Sequence, residues 1–171
     1  MKKVLSLLMA LFMVAFVTGA LAEVTADAPI EVPVVENGTV VPFQDYNFQI
    51  TLPSDWNVLE VSEEQAATGI ISSFANPEGT RSLTIAYTEF ETATDIDSVA
   101  AELASTYQNV QTMTINEIPF VSYQIAENDV AGIVTLGASG VGMYQFVFYP
   151  ASDAEYGSLA MQIAASIDSI Q

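Results

Sequence analysis

The sequence predicts an α+β fold in which an antiparallel β-sheet of about six strands is packed by helices. Segments with strand periodicity follow one another with short connections, which is typical of antiparallel pairing. One late segment, residues 141–150 (VGMYQFVFYP), is apolar at both odd and even positions. A strand of this kind is buried on both faces, so we expect helices to cover the sheet.

The first predicted elements are a strand, a turn and a second short strand. Apolar and polar residues alternate from Tyr46 to Leu52, which indicates a half-buried strand that ends at Pro53. Residues 56–61 are predicted to form a short strand that begins at Trp56, the only tryptophan of the chain. We interpret Trp56 as a core residue at a corner of the fold, because large aromatic side chains dominate core burial. The alternative is an exposed contact residue for a partner.

The middle of the chain predicts one helical turn, a β-hairpin and a longer helix. Residues 62–65 (Ser-Glu-Glu-Gln) have the spacing of a capping box, which favours a turn of helix. Residues 69–75 and 80–90 have strand patterns on either side of a turn at 76–79 (Asn-Pro-Glu-Gly). Residues 94–97 cap the longer helix. Its apolar stripe consists of Ile96, Val99, Leu103 and Tyr107.

The last third predicts four strands and a C-terminal helix. The strand patterns cover residues 110–115, 118–126, 130–138 and 141–150, with turn residues between them. Residues 152–155 (Ser-Asp-Ala-Glu) have capping-box spacing and are expected to start the final helix. The apolar stripe of that helix consists of Tyr156, Leu159, Ile163, Ile167 and Ile170.

Residues 1–22 have the layout of a secretory signal peptide. Lys2 and Lys3 precede a long apolar run, and residues 20–22 (Ala-Leu-Ala) are typical of a signal-peptidase site. Cleavage is therefore expected between Ala22 and Glu23, which gives a secreted, periplasmic or cell-surface protein. An uncleaved anchor is the alternative, because the apolar run is almost long enough to span a bilayer.

The mature chain is predicted to be strongly acidic. We expect an exposed acidic tether at residues 23–38 and a single domain at residues 39–171. Without residues 1–22 the chain keeps 21 carboxylates and one cation, Arg81, which gives a formal charge of −20. Such a charge repels phosphate backbones and anionic lipid surfaces. Nucleic acid is therefore excluded as a partner, and no membrane insertion is expected after signal cleavage.

The residue types that are missing exclude several chemistries. The sequence contains no Cys and no His, and the mature chain contains no Lys. A thiol nucleophile, a Ser-His-Asp triad, the usual zinc sites, histidine-ligated haem and a Schiff base are therefore excluded. A carboxylate pair of the glycosidase type is possible, but no pair is marked as facing a cleft. We predict that the protein is not an enzyme and carries no cofactor.

Arg81, Tyr87 and Tyr123 are the candidate ligand- or partner-binding residues. Arginine suits a ligand carboxylate or phosphate, but a fork to a nearby carboxylate such as Glu78 or Glu89 explains Arg81 better. The two tyrosines lie on predicted strands, where they can line a pocket beneath a helix. Aromatic core packing explains the same tyrosines without a ligand.

Glu127 and Asp129 are the candidate metal ligands. They alternate with Asn128 in a predicted loop, and calcium sites often use oxygen ligands at alternate loop positions. No glycine and distal glutamate follow in the spacing of an EF-hand, so the ligand pattern is incomplete.

Three stretches resemble domains of the PsbP-like superfamily. They are residues 48–56 (FQITLPSDW), 115–125 (INEIPFVSYQI) and 144–167, and the resemblance covers about residues 40–170. It implies a PsbP-like α/β/α sandwich. Members are mostly small, exported or lumenal and non-enzymatic, and several are accessory subunits of larger assemblies. The metal association of photosynthetic members depends partly on histidine, which this sequence lacks, so it is not carried over.

The expected function is that of a secreted, non-catalytic accessory or protein-interaction module of the cell envelope. Its expected partner is an envelope or extracellular protein whose identity the sequence does not specify. The alternative is a small-molecule or divalent-cation binding protein, which uses a pocket between sheet and helices or the acidic loops.

Overall fold

The structure is a computed structural model that describes residues 32–169. The predicted signal peptide and its cleavage site at Ala22 and Glu23 lie outside the described residues, as does most of the predicted tether. In the described part of that tether, Val35 is buried in the core and Val32 packs against it.

The described residues form two antiparallel sheets and three α-helices. The helices are α1 (Glu63–Ala66), α2 (Ile96–Ala104) and α3 (Ala154–Ala165). The strands are β1 (Gly38–Phe43), β2 (Phe48–Pro53), β3 (Asn57–Leu59), β4 (Ile70–Ala75), β5 (Ser82–Glu89), β6 (Gln108–Ile115), β7 (Ile118–Ile125), β8 (Val130–Leu136), β9 (Gly142–Tyr149) and β10 (Asp168–Ser169).

The large sheet has seven strands in the order β3-β4-β5-β9-β8-β7-β6, and the small sheet has the order β1-β2-β10. Every neighbouring pair is antiparallel. The predicted α+β class is confirmed, with seven strands in the large sheet where about six were expected. The small sheet was not predicted, because Gly38 and Pro42 interrupt the strand pattern of β1.

Two hydrophobic cores lie on opposite faces of the large sheet. In the main core, Ile50 of β2 and Ile163 of α3 pack with Ile85 of the sheet, and none of these side chains is accessible to solvent. The second core lies beneath α2, where Val99 and Leu103 pack on Val121, Val134 and Met143. Strand β9 contributes to both cores, so the prediction that it is buried on both faces is confirmed.

Two of the three predicted helix N-caps are confirmed. Ser62 and Gln65 form the predicted capping box of α1, with hydrogen bonds of 3.2 and 2.9 Å. Asp95 caps α2 by accepting a 2.7 Å hydrogen bond from the backbone N–H of Ser98. The capping box predicted at residues 152–155 is wrong. Asp153 is the N-cap of α3, because the hydroxyl of Ser152 donates to Asp129 instead.

Trp56 packs at the rim of the main core, as predicted, with its ring centroid 5.9 Å from that of Tyr156. It lies where the chain leaves β2 and enters β3, and so fills a corner of the fold. Within residues 32–169, no helix is both long and apolar enough to cross a membrane.

Candidate functional site

Arg81 joins the start of β5 to the start of α3. Its Nε lies 2.8 Å from Oδ2 of Asp153, and one terminal nitrogen lies 2.7 Å from the same oxygen and 3.1 Å from Oε2 of Glu155. Its Cζ also lies 5.6 Å from the centroid of the Tyr156 ring. The guanidinium group is therefore occupied by contacts within the protein.

The predicted carboxylate fork at Arg81 exists, but the predicted partners are wrong. Glu78 accepts a 2.9 Å hydrogen bond from the Asn76 side chain, while Asp153 and Glu155 bind Arg81 from 72 and 74 residues away. Local sequence favours partners that are near along the chain, whereas the packing of α3 beside β5 brings distant carboxylates closer.

The charges of this cluster reinforce one another. The backbone N–H of Tyr156 and then the guanidinium of Arg81 lower the pKa of Asp153 below its usual value. The hydrogen bond to Asp153 is the largest cause of the raised pKa of Arg81. Both groups are therefore ionised at neutral pH, and together they fix the first turn of α3.

Tyr123 is fully buried on the sheet face beneath α2. Its hydroxyl is hydrogen-bonded to the side-chain amide of Gln145, and its ring stacks on Tyr107 with centroids 4.4 Å apart. The ring lies directly over Gly132, where a Cβ atom would overlap it. Burial raises the pKa of Tyr123, so the phenol stays protonated. This tyrosine fills the second core.

Tyr87 lies on the opposite face of the sheet, at the rim of the main core. Its ring centroid is 5.0 Å from that of Tyr46 and 5.5 Å from that of Tyr144. These are distances of direct ring contact, which leave no room for a ligand between the rings. Desolvation is the main cause of the raised pKa of Tyr87.

The structure does not bring the three candidate ligand-binding residues together. Arg81 and Tyr87 are six positions apart on one extended segment, a span of about 20 Å. Tyr123 is separated from both because it belongs to the core on the other face. No common pocket can therefore be built from Arg81, Tyr87 and Tyr123.

Asp129 holds the connection between β7 and β8 against the start of α3. Its carboxylate accepts hydrogen bonds from the backbone N–H and the hydroxyl of Ser152, at 2.7 and 2.6 Å. Its backbone carbonyl accepts a 2.7 Å bond from Ala151. Glu127 lies two residues earlier with an exposed side chain. Across residues 32–169, no group of three acidic residues is placed to hold a metal ion.

The feature that the sequence analysis did not single out is the exposed apolar edge at β3. Val58 and Leu59 are 72% and 42% exposed, although they lie in a strand of the large sheet. Exposed carboxylates surround them in sequence, at Asp55, Glu60, Glu63 and Glu64. Two adjacent apolar residues between acidic ones were the available signal. Periodicity alone does not distinguish an edge strand from a central one.

No protein-family model matches the sequence, and no curated protein matches it either. Solved structures do. The solution structure of cyanobacterial PsbP (CyanoP) from Synechocystis sp. PCC 6803 superposes with a TM-score of 0.58 at 14% identity, over 78% of this chain and 92% of that one. A crystal structure from Bacteroides thetaiotaomicron VPI-5482 gives a TM-score of 0.52 at 17% identity, over 73% of this chain and 46% of that one.

These likenesses are distant in sequence and concern the fold. They agree with the resemblance of residues 48–56, 115–125 and 144–167 to PsbP-like domains. The described chain has a PsbP-like fold.

Proposed function

We propose that this protein is an exported, non-catalytic interaction module of the cell envelope, which acts by binding another protein. The observation that carries the proposal is the pair of exposed apolar side chains at β3, Val58 and Leu59. They lie on an edge strand, and an edge strand with exposed apolar side chains can bind another protein by pairing with an extended segment of it.

Three of the candidate residues use their polar groups in contacts that hold the fold together. Arg81 is bound by two carboxylates, Asp129 by Ser152, and the Tyr123 hydroxyl by Gln145. An active site instead needs polar groups that converge on a space open to a substrate. This contrast favours binding over catalysis.

Export is the part of the proposal that rests on residues 1–22. A cleaved signal peptide would release an acidic domain outside the cytoplasm, where the absence of cysteine makes the fold independent of disulfide formation. The PsbP-like fold is compatible with this role but does not specify it, since one fold hosts many functions.

The test is a quantitative purification of the full chain from the envelope fraction of its host. A carboxyl-terminal tag and reversible cross-linking would be used, with a chain that lacks residues 1–22 as the control. We expect one protein at near-stoichiometric amounts with the exported chain and not with the control. Recovery of the exported chain alone would contradict the proposal. A bound small molecule or cation in native mass spectrometry of that material would favour the alternative.

A further inference from the structure

We propose that β3 is a docking edge to which a partner adds an extended, basic and apolar segment as the next strand of the large sheet. This inference rests on the proposed function and names the chemistry of the partner. An edge strand can pair with a second chain because one side of its backbone hydrogen-bonding groups has no neighbouring strand.

Among the sheet edges of the described residues, β3 is the one that offers both pairing and apolar contact. Strand β1 contains Pro42, which has no N–H to donate. Strand β6 has a register shift between Gln108 and Gln111, and its apolar side chains are buried or half-buried. Strand β10 is two residues long with both side chains exposed and polar.

The backbone of β3 is regular over its three residues. Its residues pair one to one with β4, from Asn57 opposite Ala75 to Leu59 opposite Ser73. The shift in the β4 register occurs between Ile70 and Ser72, beyond the end of β3. A partner strand can therefore pair along the three residues of β3.

Val58 and Leu59 present an apolar contact on each face of the edge. Val58 lies opposite Phe74, whose side chain belongs to the main core. Leu59 lies opposite Ser73 and therefore points to the other face of the sheet. An added strand would place apolar side chains beside both residues and would extend the sheet without a rearrangement of its core.

The charge around β3 determines the kind of partner. Four carboxylates lie within residues 55–64, and no cation lies in that range. Arg81, the cation of the described residues, is already bound by Asp153 and Glu155. A segment with lysine or arginine is therefore attracted to this edge, since opposite charges steer association and fix orientation.

The same charge opposes pairing of β3 with a second copy of this chain. Two such edges side by side would bring eight carboxylates together without a cation from either segment. Charges at an edge strand are a common means of preventing self-association. The occupant that fits is thus a basic partner, and a second copy is an outcome that the test can detect.

The test uses the isotope-labelled exported protein and a synthetic eight-residue peptide with four central valines and two lysines at each end, so that an added strand presents valine on both faces of the sheet. Hydrogen exchange of backbone amides is measured by NMR at saturating peptide. We expect exchange within residues 57–59 to slow by about tenfold or more, because outward-facing amides gain acceptors in a new strand. A peptide methylated at alternate backbone nitrogens keeps the charge and side chains but should give little protection.

Equal protection by both peptides, or protection only outside β3, would overturn the proposal, because simple charge attraction would then explain the binding. A double variant of β3 and a control variant of β1 test whether the apolar side chains of β3 contribute to binding. Val58→Ser with Leu59→Ser should weaken peptide binding by about tenfold. Val40→Ser, at an exposed valine of β1, should leave it within about twofold. Both proteins should keep the circular-dichroism spectrum and melting profile of a folded chain, because the replaced side chains are exposed.

The carboxylates are tested with two triple variants that have the same net charge as each other. The triple variant Glu60→Gln, Glu63→Gln and Glu64→Gln should weaken binding by about tenfold, whereas Glu102→Gln, Glu117→Gln and Glu127→Gln should have a smaller effect. The second set lies toward the opposite edge, which is six strand spacings or roughly 29 Å away. Equal losses from the two sets would contradict a local docking site.

The two proposals fail in distinguishable ways. If the envelope complex survives the Val58→Ser and Leu59→Ser changes, the docking edge is wrong and the interaction module stands. If the peptide binds β3 but no envelope complex exists, the proposed function is wrong. Sedimentation should show a monomer at micromolar concentration. A dimer that these two changes dissociate would overturn the basic partner in favour of a second copy.

Discussion

At the scale of one residue, the second core has no room for a side chain at Gly132. The Tyr123 ring occupies the volume that a side chain at position 132 would fill, and cross-strand pairing places the two residues directly opposite each other. The sequence marks Tyr123 as aromatic on a strand, but its close approach to a glycine depends on the register of β7 and β8.

Replacing Gly132 by alanine should destabilise the protein strongly. The added methyl overlaps the Tyr123 ring, so the ring has to leave its stack on Tyr107 and its hydrogen bond to Gln145. We expect the free energy of unfolding to fall by about 3 kcal/mol in urea titrations. Gly137→Ala is the matched control, because its Cβ would meet Tyr144 at an ordinary 3.5 Å. Equal losses in the two variants would refute this packing.

The ionised state of Asp153 predicts how stability depends on pH. Its folded-state pKa is lowered, first by the Tyr156 N–H and then by Arg81. Its contribution is therefore present above the unfolded carboxyl pKa of about 4 and is lost as the pH falls through the lower folded value. Asp153→Asn can still cap α3 but does not ionise.

We therefore expect Asp153→Asn to lose less stability than the unmodified protein as the pH falls below about 5, one unit above the unfolded carboxyl value. Urea titrations at several pH values measure the difference. The control is Asp55→Asn, an exposed carboxyl in the turn after β2. Parallel curves for Asp153→Asn and the unmodified protein would show that the Arg81 cluster does not contribute to acid sensitivity.

At the scale of elements, Asp129 connects the β7–β8 loop to Ser152, the residue before the N-cap of α3. Its carboxylate holds both donors of Ser152, and its backbone has the left-handed φ of 52° that aspartate and asparagine tolerate. The predicted metal ligand is thus engaged in a local contact between two elements. The N-cap of α3 follows directly, at Asp153.

Asp129→Ala should lower the free energy of unfolding by about 2 kcal/mol, because two hydrogen bonds are lost and alanine is less tolerant of a positive φ. Asp129→Asn should cost less, since it keeps one acceptor oxygen and the backbone preference. Thermal melting with calcium or EDTA provides the second readout. We expect neither to change the melting temperature, and a saturable rise with calcium would identify Asp129 as a metal ligand after all.

Local pattern predicted most elements well, because alternation and capping depend on neighbours in sequence. Residues 46–52 correspond to β2 (Phe48–Pro53), and residues 69–75 correspond to β4 (Ile70–Ala75). The helix that starts after Asp95 is confirmed, but it ends at Ala104. Tyr107 of its predicted stripe lies beyond that end and still packs into the second core.

The proposed docking edge was less predictable, since its position depends on the order of strands in the sheet. Residues 56–61 were predicted as a strand, and β3 (Asn57–Leu59) is found there. The sequence could not place this strand at an edge, because strand order follows from packing over long distances. The carboxylate partners of Arg81 could not be predicted for the same reason, because they are 72 and 74 residues away along the chain.

At the scale of the whole molecule, a role at the cell envelope requires that the chain is exported, and the predicted route is a cleaved signal peptide. We expect mass spectrometry of the exported protein to show cleavage between Ala22 and Glu23. Ala22→Phe should block cleavage and leave a heavier protein, because signal peptidase requires a small residue there. Ala28→Phe is the control and should be processed normally. An unprocessed natural chain held in the membrane would support the uncleaved anchor.

The position of β3 in the fold and the acidic sequence around it together determine the character of this edge. The fold places β3 at the end of a seven-stranded sheet, and the sequence surrounds its two exposed apolar residues with carboxylates. A binding module with this arrangement gains affinity from backbone pairing and apolar contact, and gains selectivity from charge.

The most direct test of this account is photo-cross-linking of the full chain in its own cell envelope. A photoreactive amino acid would replace Val58 in one variant and Val40 in a control, and the cross-linked peptides would be sequenced. We expect position 58 to capture one segment in which adjacent apolar residues are flanked by basic ones, and position 40 not to capture it. Equal capture of that segment from both positions, or capture of a second copy of this chain at position 58, would contradict the account.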